Sequence, residues 1–328
     1  MREVAYLAVA DVDSAIAALA AHKNSMLLAG GTNVVDYLRA GAISPSVLVD
    51  ISKVPITDVQ VGEAGFTIGG LARMSDVAAN PGMRAFFPVV SQALELSASA
   101  QLRNMATIGG NLMQRTRCGY FREAGFACNK RTPGSGCAAR DGLNRPHAVL
   151  GGSGHCVATH PSDLAVALAA LDAMMHLQGP AGVRQIALTD FYRMPGDTPQ
   201  LENALQSGEM IVQVSANGTP GAAGSHYLKV RERASYEFAV VSVAAVVNAS
   251  GGVIETARIA FGGVGTVPWR DHAAEHALAG VIAADSGALR LAADAALAGA
   301  EPLTHNGFKI EMGRRALVRA VQTAAGAR

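Results

Sequence analysis

The spacing of apolar residues along the first hundred positions predicts alternating helices and strands. In chain order, the pattern predicts a helix capped by Asp11 or Asp13, strands at 26–29, 47–51 and 66–68, and a short helix that starts at 75–76. The strand at 26–29 ends directly at a pair of glycines. This alternation indicates an α/β domain.

The periodicity is lost between residues 114 and 154, where Gly, Pro, Arg and Cys dominate. A long irregular segment inside a compact domain usually has a function or a covalent or metal link that holds it. Periodic elements then resume, and a Gly- and Ala-rich stretch at 218–224 is expected to link two domains. The pattern predicts a helix at 164–172 capped by Ser162 or Asp163, strands at 239–247 and 257–261, and helices at 273–279, 288–298 and 310–323.

Length and charge narrow the class of protein. The chain has 328 residues, which is enough for two domains with their own cores. Its formal net charge is +1, so bulk electrostatics does not favour a nucleic-acid or membrane partner. No signal peptide and no transmembrane segment are expected, which favours the cytoplasm. A folded protein can nevertheless reach the periplasm as the passenger of a partner that carries the signal.

The glycine-rich loop 27–35 is a candidate phosphate site. Without a Cβ, Gly30 and Gly31 let backbone N–H groups converge on an anion, and Thr32 and Asn33 add polar side chains. The loop has neither the G-x-G-x-x-G spacing nor the P-loop lysine. On these residues alone, an ordinary strand-to-helix turn remains the alternative.

Two further segments have a similar polar composition. A second glycine pair stands at 106–111, flanked by Thr and Asn, and the segment 160–163 reads His-Pro-Ser-Asp. The carboxylate of Asp163 can accept hydrogen bonds from a sugar or ribityl hydroxyl. Two such turns in one domain favour a large ligand with several phosphate and hydroxyl groups.

All the cysteines of the chain lie in the irregular segment or within two residues of its end. They are Cys118, Cys128, Cys137 and Cys156. Such a cluster, in a chain for which no export signal is expected, favours metal binding over disulfides. Four thiolates suit an iron–sulfur cluster or zinc, although the wide spacing is untypical of zinc knuckles. Basic residues outnumber acidic ones across the segment, and this excess can offset the charge of thiolates.

The segments 27–35, 106–111, 160–163 and 227–229 occur in the order found in FAD-binding subunits of the xanthine dehydrogenase and carbon monoxide dehydrogenase family, which this chain resembles. The resemblance implies an α/β (α+β) fold in which two subdomains of the vanillyl-alcohol-oxidase or PCMH type hold FAD. It implies an FAD-binding domain over 1–220 with an insertion at about 114–157. A C-terminal α/β domain of the CO dehydrogenase flavoprotein type would follow at 225–328.

The resemblance also implies which residues bind the cofactor. They are Leu27, Leu28, Ala29, Gly30, Gly31, Thr32, Asn33, Val34 and Val35 around the pyrophosphate, and Ala106, Thr107, Gly110 and Asn111 in a second strip. Asp163 would bind the ribityl chain, Ile211 would pack on a ring, and Lys229 would lie near the isoalloxazine. A solvated surface lysine is the alternative for Lys229.

The insertion resembles the [4Fe–4S]-bearing segment of periplasmic aldehyde oxidoreductases, with the four cysteines as ligands. The implied function is electron transfer within a heterotrimeric molybdenum hydroxylase. Electrons would pass from a molybdopterin-binding large subunit and a [2Fe–2S] small subunit to the FAD held here, and then to an external acceptor. No nucleophile–base pair is evident, so no catalytic side chain is assigned.

Two other functions remain open from the sequence. One is a stand-alone FAD oxidase whose insertion is an interaction arm held by zinc. The other is a scaffold that has lost its flavin, which the intact glycine turns disfavour. The identity of the metal and the presence of partner subunits distinguish these alternatives.

Overall fold

The computed structural model describes residues 3–327, and its first subdomain is built on a small parallel sheet. Its elements are β1 (Ala5–Ala8), α1 (Val12–Ala21), β2 (Ser25–Leu28), α2 (Val34–Arg39) and β3 (Val47–Asp50). The strand order is β1-β3-β2. The carboxylate of Asp11 caps α1 by accepting a hydrogen bond from the Ser14 amide at 2.7 Å. The α/β alternation predicted from the sequence is confirmed over this stretch.

The second subdomain is built on a five-stranded antiparallel sheet with helices on one side. In chain order its elements are β4 (Val59–Gly62), β5 (Gly65–Gly69), α3 (Met74–Ala79), α4 (Pro81–Phe86), α5 (Pro88–Glu95), α6 (Ala100–Arg103), α7 (Ile108–Leu112), α8 (Gly119–Arg122), α9 (Asp163–Ala170), β6 (Met174–Gly179), β7 (Gly182–Ala187), α10 (Leu188–Phe191) and β8 (Met210–Asn217). The strand order is β4-β5-β8-β6-β7. Every residue of α9 is buried, and all of them except the first, Asp163, are apolar.

The C-terminal part forms a third sheet that is covered by helices. After a 3-10 turn at Ala222–Gly224, its elements are β9 (His226–Val230), β10 (Val241–Ser250), β11 (Val253–Gly262), β12 (Trp269–Arg270), α11 (His272–Leu278), α12 (Ser286–Ala296) and α13 (Phe308–Ala324). The antiparallel order is β12-β11-β10-β9. Tyr227, Ala244 and Ala260 on this sheet share a core with the second subdomain. Among residues 3–327, no helix is both long and apolar enough to cross a membrane.

The insertion at 114–157 is irregular apart from α8, and ion pairs to the rest of the chain hold it in place. These pairs join Arg117 and Arg122 to Asp36, Arg115 and Lys130 to Glu202, and Arg145 to Glu232. The guanidinium of Arg122 holds the pKa of the Asp36 carboxyl below its usual range. Because these acidic partners lie outside the insertion, the uncompensated positive charge expected around the cysteines is smaller than the composition of the segment indicates.

A buried lysine joins the insertion to the C-terminal domain. Lys309, near the start of α13, has no exposed surface, and its ammonium donates to three backbone carbonyls. The acceptors are Pro146 at 2.8 Å, His147 at 3.0 Å and Gly263 at 2.7 Å. Burial is the largest cause that lowers the pKa of Lys309 to about 7.

This shift predicts a pH-dependent contribution to stability. Between pH 7 and the ordinary value of 10.5, the unfolded lysine holds a proton that the folded one has lost, so the free energy of unfolding rises with pH across this window. The difference in this free energy between the wild type and Lys309→Met is therefore expected to shift in favour of the wild type as pH increases. Urea denaturation of both chains at pH 7, 8 and 9 measures it. A difference that is independent of pH would contradict the lowered pKa.

Candidate flavin and four-cysteine sites

A cavity of about 380 Å³ lies between the first two subdomains, at the glycine loops. This volume is within the range of small-molecule and cofactor sites. Of the residues predicted to bind the cofactor, the cavity is lined by Leu27, Ala29, Gly30, Gly31, Thr32, Asn33, Val34, Thr107, Gly110 and Ile211. Residues that are far apart in sequence therefore meet at one cavity.

Two adjacent glycines shape the first loop for different reasons. Gly30 lies so close to the next loop that a Cβ would overlap the carbonyl oxygen of Met105. A Cβ on Gly31 would make only ordinary contacts with the side chains of Val35 and Leu28, but Gly31 adopts φ +73°, in the left-handed region that favours glycine. Beyond this turn, the amide of Val35 donates to the carbonyl of Gly31 at 3.1 Å and starts the hydrogen bonds of α2. The tight turn therefore presents its backbone to the cavity.

A side-chain hydrogen bond joins the second glycine turn to the first. The side-chain Nδ2 of Asn33 donates to the carbonyl of Gly110 at 3.2 Å. Thr107 caps α7 by accepting from the Gly110 amide at 3.2 Å, and the amide of Gly109 donates to Gly70 O at 2.7 Å. These contacts fix the two loops on facing walls of the same cavity.

Six predicted residues do not line this cavity: Leu28, Val35, Ala106, Asn111, Asp163 and Lys229. Asn111 is buried, and its side-chain oxygen accepts a hydrogen bond from the Ser162 hydroxyl at 2.6 Å. Ser162 in turn caps α9, the helix that begins with Asp163. Asn111 therefore holds the second glycine turn against the segment 160–163.

Asp163 and Lys229 form a buried ion pair at 2.8 Å. The Lys229 side chain is only 1% exposed, so it is not a solvated surface lysine. Asp163 also accepts from the hydroxyls of Tyr227 at 2.7 Å and Ser97 at 2.9 Å. Burial and the Asp163 charge raise the pKa of Tyr227 well above its usual value. Asp163 faces a second cavity of about 310 Å³, which shares residues 159–161 with the first.

The structure adds polar residues to the first cavity that sequence reasoning had not assigned to the flavin. They are Arg115, Lys130, His160, Tyr192 and Glu202. The His160 ring packs edge-on against Tyr192 at 4.3 Å, and within residues 3–327 its Nε2 is buried without a hydrogen-bond partner. Burial lowers the pKa of His160 to about 3, so the imidazole is neutral at physiological pH. In the sequence, Arg115 and Lys130 are simply two of the basic residues of the insertion.

The four cysteines line one small void in the insertion, and all four are free thiols. Cys128 and Cys137 pair through an isolated β-bridge, and the Nε2 of His147 lies 3.1 Å from the Sγ of Cys118. Burial raises the pKa of the Cys118 thiol to about 11 and also raises that of Cys156. As placed in residues 3–327, no three His, Cys, Asp or Glu side chains form a ligand set for a single metal ion.

The void and the flavin cavity are neighbours. Thr116, Lys130 and Ala158 line both of them. The insertion is therefore part of the wall of the larger cavity as well as the carrier of the cysteines.

Comparisons with known proteins agree with this architecture. A family described as the FAD binding domain in molybdopterin dehydrogenase matches residues 2–216. A second family, the CO dehydrogenase flavoprotein C-terminal domain, matches residues 226–324. The two matches are separated by the segment that contains the 3-10 turn, and together they cover nearly the whole chain.

Individual proteins are similar over nearly the same length. The aldehyde oxidoreductase FAD-binding subunit PaoB of Escherichia coli is 45% identical over 306 residues, 92% of each chain. The glyceraldehyde dehydrogenase medium chain of Sulfolobus acidocaldarius is 26% identical and covers 82% of this chain and 78% of its own. A structure of carbon monoxide dehydrogenase from Hydrogenophaga pseudoflava superposes with a TM-score of 0.76 at 25% identity, covering 98% of this chain and 97% of the other. The chain therefore belongs to the family of FAD-binding medium subunits of molybdenum-containing dehydrogenases and oxidoreductases.

Proposed function

We propose that this chain holds FAD and a [4Fe–4S] cluster in adjoining sites and is the electron-transfer subunit of a heterotrimeric molybdenum hydroxylase. The observation that carries the proposal is the shared wall between the glycine-lined cavity and the void lined by four free thiols. FAD, when bound, supplies two-electron and one-electron redox chemistry. The chain provides binding, orientation and electrostatics for it.

The glycine loops suit the charged centre of a dinucleotide cofactor. Gly30 and Gly31 bring backbone to the cavity surface, and Thr107 and Asn33 fix the facing loop. Backbone N–H groups in such a turn bind phosphate without the cost of ordering long side chains. Ile211 on β8 offers an apolar contact for a ring in the same cavity.

The ribityl and isoalloxazine contacts belong to the same proposal. Asp163 keeps spare acceptor capacity beyond its three hydrogen bonds, and it lines the cavity that adjoins the first through residues 159–161. A ribityl hydroxyl could therefore bind there. Lys229 would hold the Asp163 carboxylate in place, and its positive charge would lie near the isoalloxazine.

The four thiols suit an iron–sulfur cluster by number and chemistry. Soft sulfur ligands select iron–sulfur clusters or zinc over hard cations. Tyr120 and Phe121 line the void and limit its contact with water. Cys118, Cys128, Cys137 and Cys156 would be the ligands, and zinc in the same site is the alternative that metal analysis distinguishes.

The proposed partners rest on the family to which the chain belongs. The 45%-identical relative is named as the FAD-binding subunit of an aldehyde oxidoreductase, and others are named as medium chains. We assign the molybdopterin centre to a large partner subunit and the [2Fe–2S] centres to a small one. An aldehyde or a similar small organic molecule would then be oxidised on the large subunit.

Metal analysis of a cysteine variant tests the cluster. The anaerobically purified wild-type chain is expected to contain four iron and four acid-labile sulfide, and Cys128→Ser is expected to lose most of both. Thr132→Ser is the matched control, since this exposed residue lies in the same loop but outside the void. Zinc in place of iron, or unchanged iron in Cys128→Ser, would contradict the assignment.

A further inference from the structure

We propose that the ion pair between Lys130 and Glu202 couples the four-cysteine site to the flavin cavity, so that filling the first site strengthens FAD binding in the second. This inference rests on the function proposed above and names two positioning residues that the sequence had not assigned to either site. We call this ion pair the latch.

The position of Lys130 depends on the cysteine loop. Lys130 follows Cys128 by two residues, and the amides of the next two residues, Arg131 and Thr132, donate to the Cys128 carbonyl at 3.1 and 2.8 Å. Cys128 also pairs with Cys137 across the loop. Movement of these cysteines toward a bound metal centre therefore moves the backbone that carries Lys130.

The ammonium of Lys130 reaches the opposite wall of the flavin cavity. Its Nζ lies 2.9 Å from the Glu202 carboxylate and donates to the Pro199 carbonyl at 2.9 Å. The Lys130 side chain is 11% exposed, so water screens this pair less than a surface pair. Both Lys130 and Glu202 line the flavin cavity.

Glu202 connects Lys130 to other residues that line the flavin cavity. Its carbonyl accepts from the Arg193 amide at 3.1 Å, and the neighbouring Asn203 pairs with Tyr192 through a β-bridge. Arg193, Tyr192 and Asn203 all line the cavity. The segments 192–193 and 202–203 therefore form one wall whose position depends on the latch.

The charge of Lys130 reaches residues at both sites. Its side chain lines both the flavin cavity and the void of the four cysteines. Cys156 lines the void and His160 lines the flavin cavity, so one ammonium lies close to both.

A binding cycle on the full chain tests the coupling. FAD affinity is measured by quenching of flavin fluorescence, with the iron-loaded chain and with the chain stripped of iron by an oxidant and a chelator. Iron removal is expected to weaken FAD binding by about tenfold in the wild type, a typical size for coupled sites. In Lys130→Met the same removal should change the affinity by less than about twofold, because the latch is already broken.

The controls separate a latch from a general loss of structure. Arg140→Met removes another cation of the insertion, one that donates to Ser153 O and does not line the flavin cavity, and it should keep the wild-type response to iron. Glu202→Gln breaks the latch from its other side and also removes the ion pair between Glu202 and Arg115. It should therefore lose the response to iron at least as fully as Lys130→Met, including where Lys130→Met does not fold. An equal response to iron in wild type and both latch variants overturns the latch alone, whereas a wild-type chain without iron overturns the proposed cluster as well.

Discussion

Replacing Gly30 with valine is expected to abolish flavin retention and to destabilise the chain by more than about 4 kcal/mol. Any Cβ at this position overlaps the carbonyl group of Met105, which is backbone and cannot rotate away. The two glycine loops must then separate, and the cavity wall that they form is lost. Flavin content after purification and urea denaturation of the flavin-free chain measure the two effects.

Two other glycines provide graded controls. Gly31→Ala causes no steric overlap, because the new Cβ would lie 3.6 Å from Val35 Cγ2, but it forces alanine to adopt φ +73°, which costs roughly 1–2 kcal/mol. Gly62→Val lies in β4 with open space around its Cα and should leave flavin content unchanged. Equal flavin retention in Gly30→Val and Gly62→Val would contradict the close approach of the two loops.

Replacing Asp163 with asparagine is expected to lower the free energy of unfolding by about 3 kcal/mol, because it leaves the Lys229 ammonium buried without a countercharge. Lys229 then keeps the Leu96 carbonyl, at 3.0 Å, as an uncharged acceptor. The reverse change, Lys229→Met, should cost less, since the Asp163 carboxylate still accepts from the hydroxyls of Tyr227 and Ser97. Chemical denaturation of the flavin-free chains measures both losses.

The double variant Asp163→Asn with Lys229→Met separates charge burial from packing. With neither charge present, it should be more stable than Asp163→Asn alone. Additive losses would mean that the two side chains act independently, in conflict with the 2.8 Å ion pair. Flavin affinity of the same variants then reports whether Asp163 also binds the cofactor.

Local sequence signals were sufficient for much of the fold. The Asp11 cap, the strand before Gly30 and the helix after Ser162 all lie where capping residues and apolar spacing predict them. The strand predicted at 239–247 overlaps β10, which starts two residues later, and the strand predicted at 257–261 lies within β11. These elements were predictable because their signals are short-range.

The five-stranded antiparallel sheet was not predicted. Its central strands β5 and β8 pair across more than 140 residues, so neither carries a local sign of its neighbour. Strands β6 and β7 contain polar residues such as His176 and Arg184, which interrupt an apolar pattern. The alternation of helices and parallel strands is therefore confined to the first subdomain, which ends after β3.

The sequence predicts the separate segments of the candidate site, but it does not predict the side-chain contacts that connect them. The glycine loops and the cysteine cluster can be recognised in the sequence, because each depends on the types of residue within one stretch of the chain. The pairing of Asp163 with Lys229, and of Lys130 with Glu202, depends on contacts between side chains 66 and 72 positions apart. A single sequence contains no signal for such partners.

The most direct test of two cofactors in adjoining sites is the visible absorption spectrum of the anaerobically purified full chain, before and after dithionite. We expect flavin bands on a broad iron–sulfur background, with both features bleaching on reduction. Flavin bands without that background would contradict the cluster and leave a flavoprotein with a zinc or thiol insertion. A spectrum without flavin would contradict the central assignment of the glycine-lined cavity.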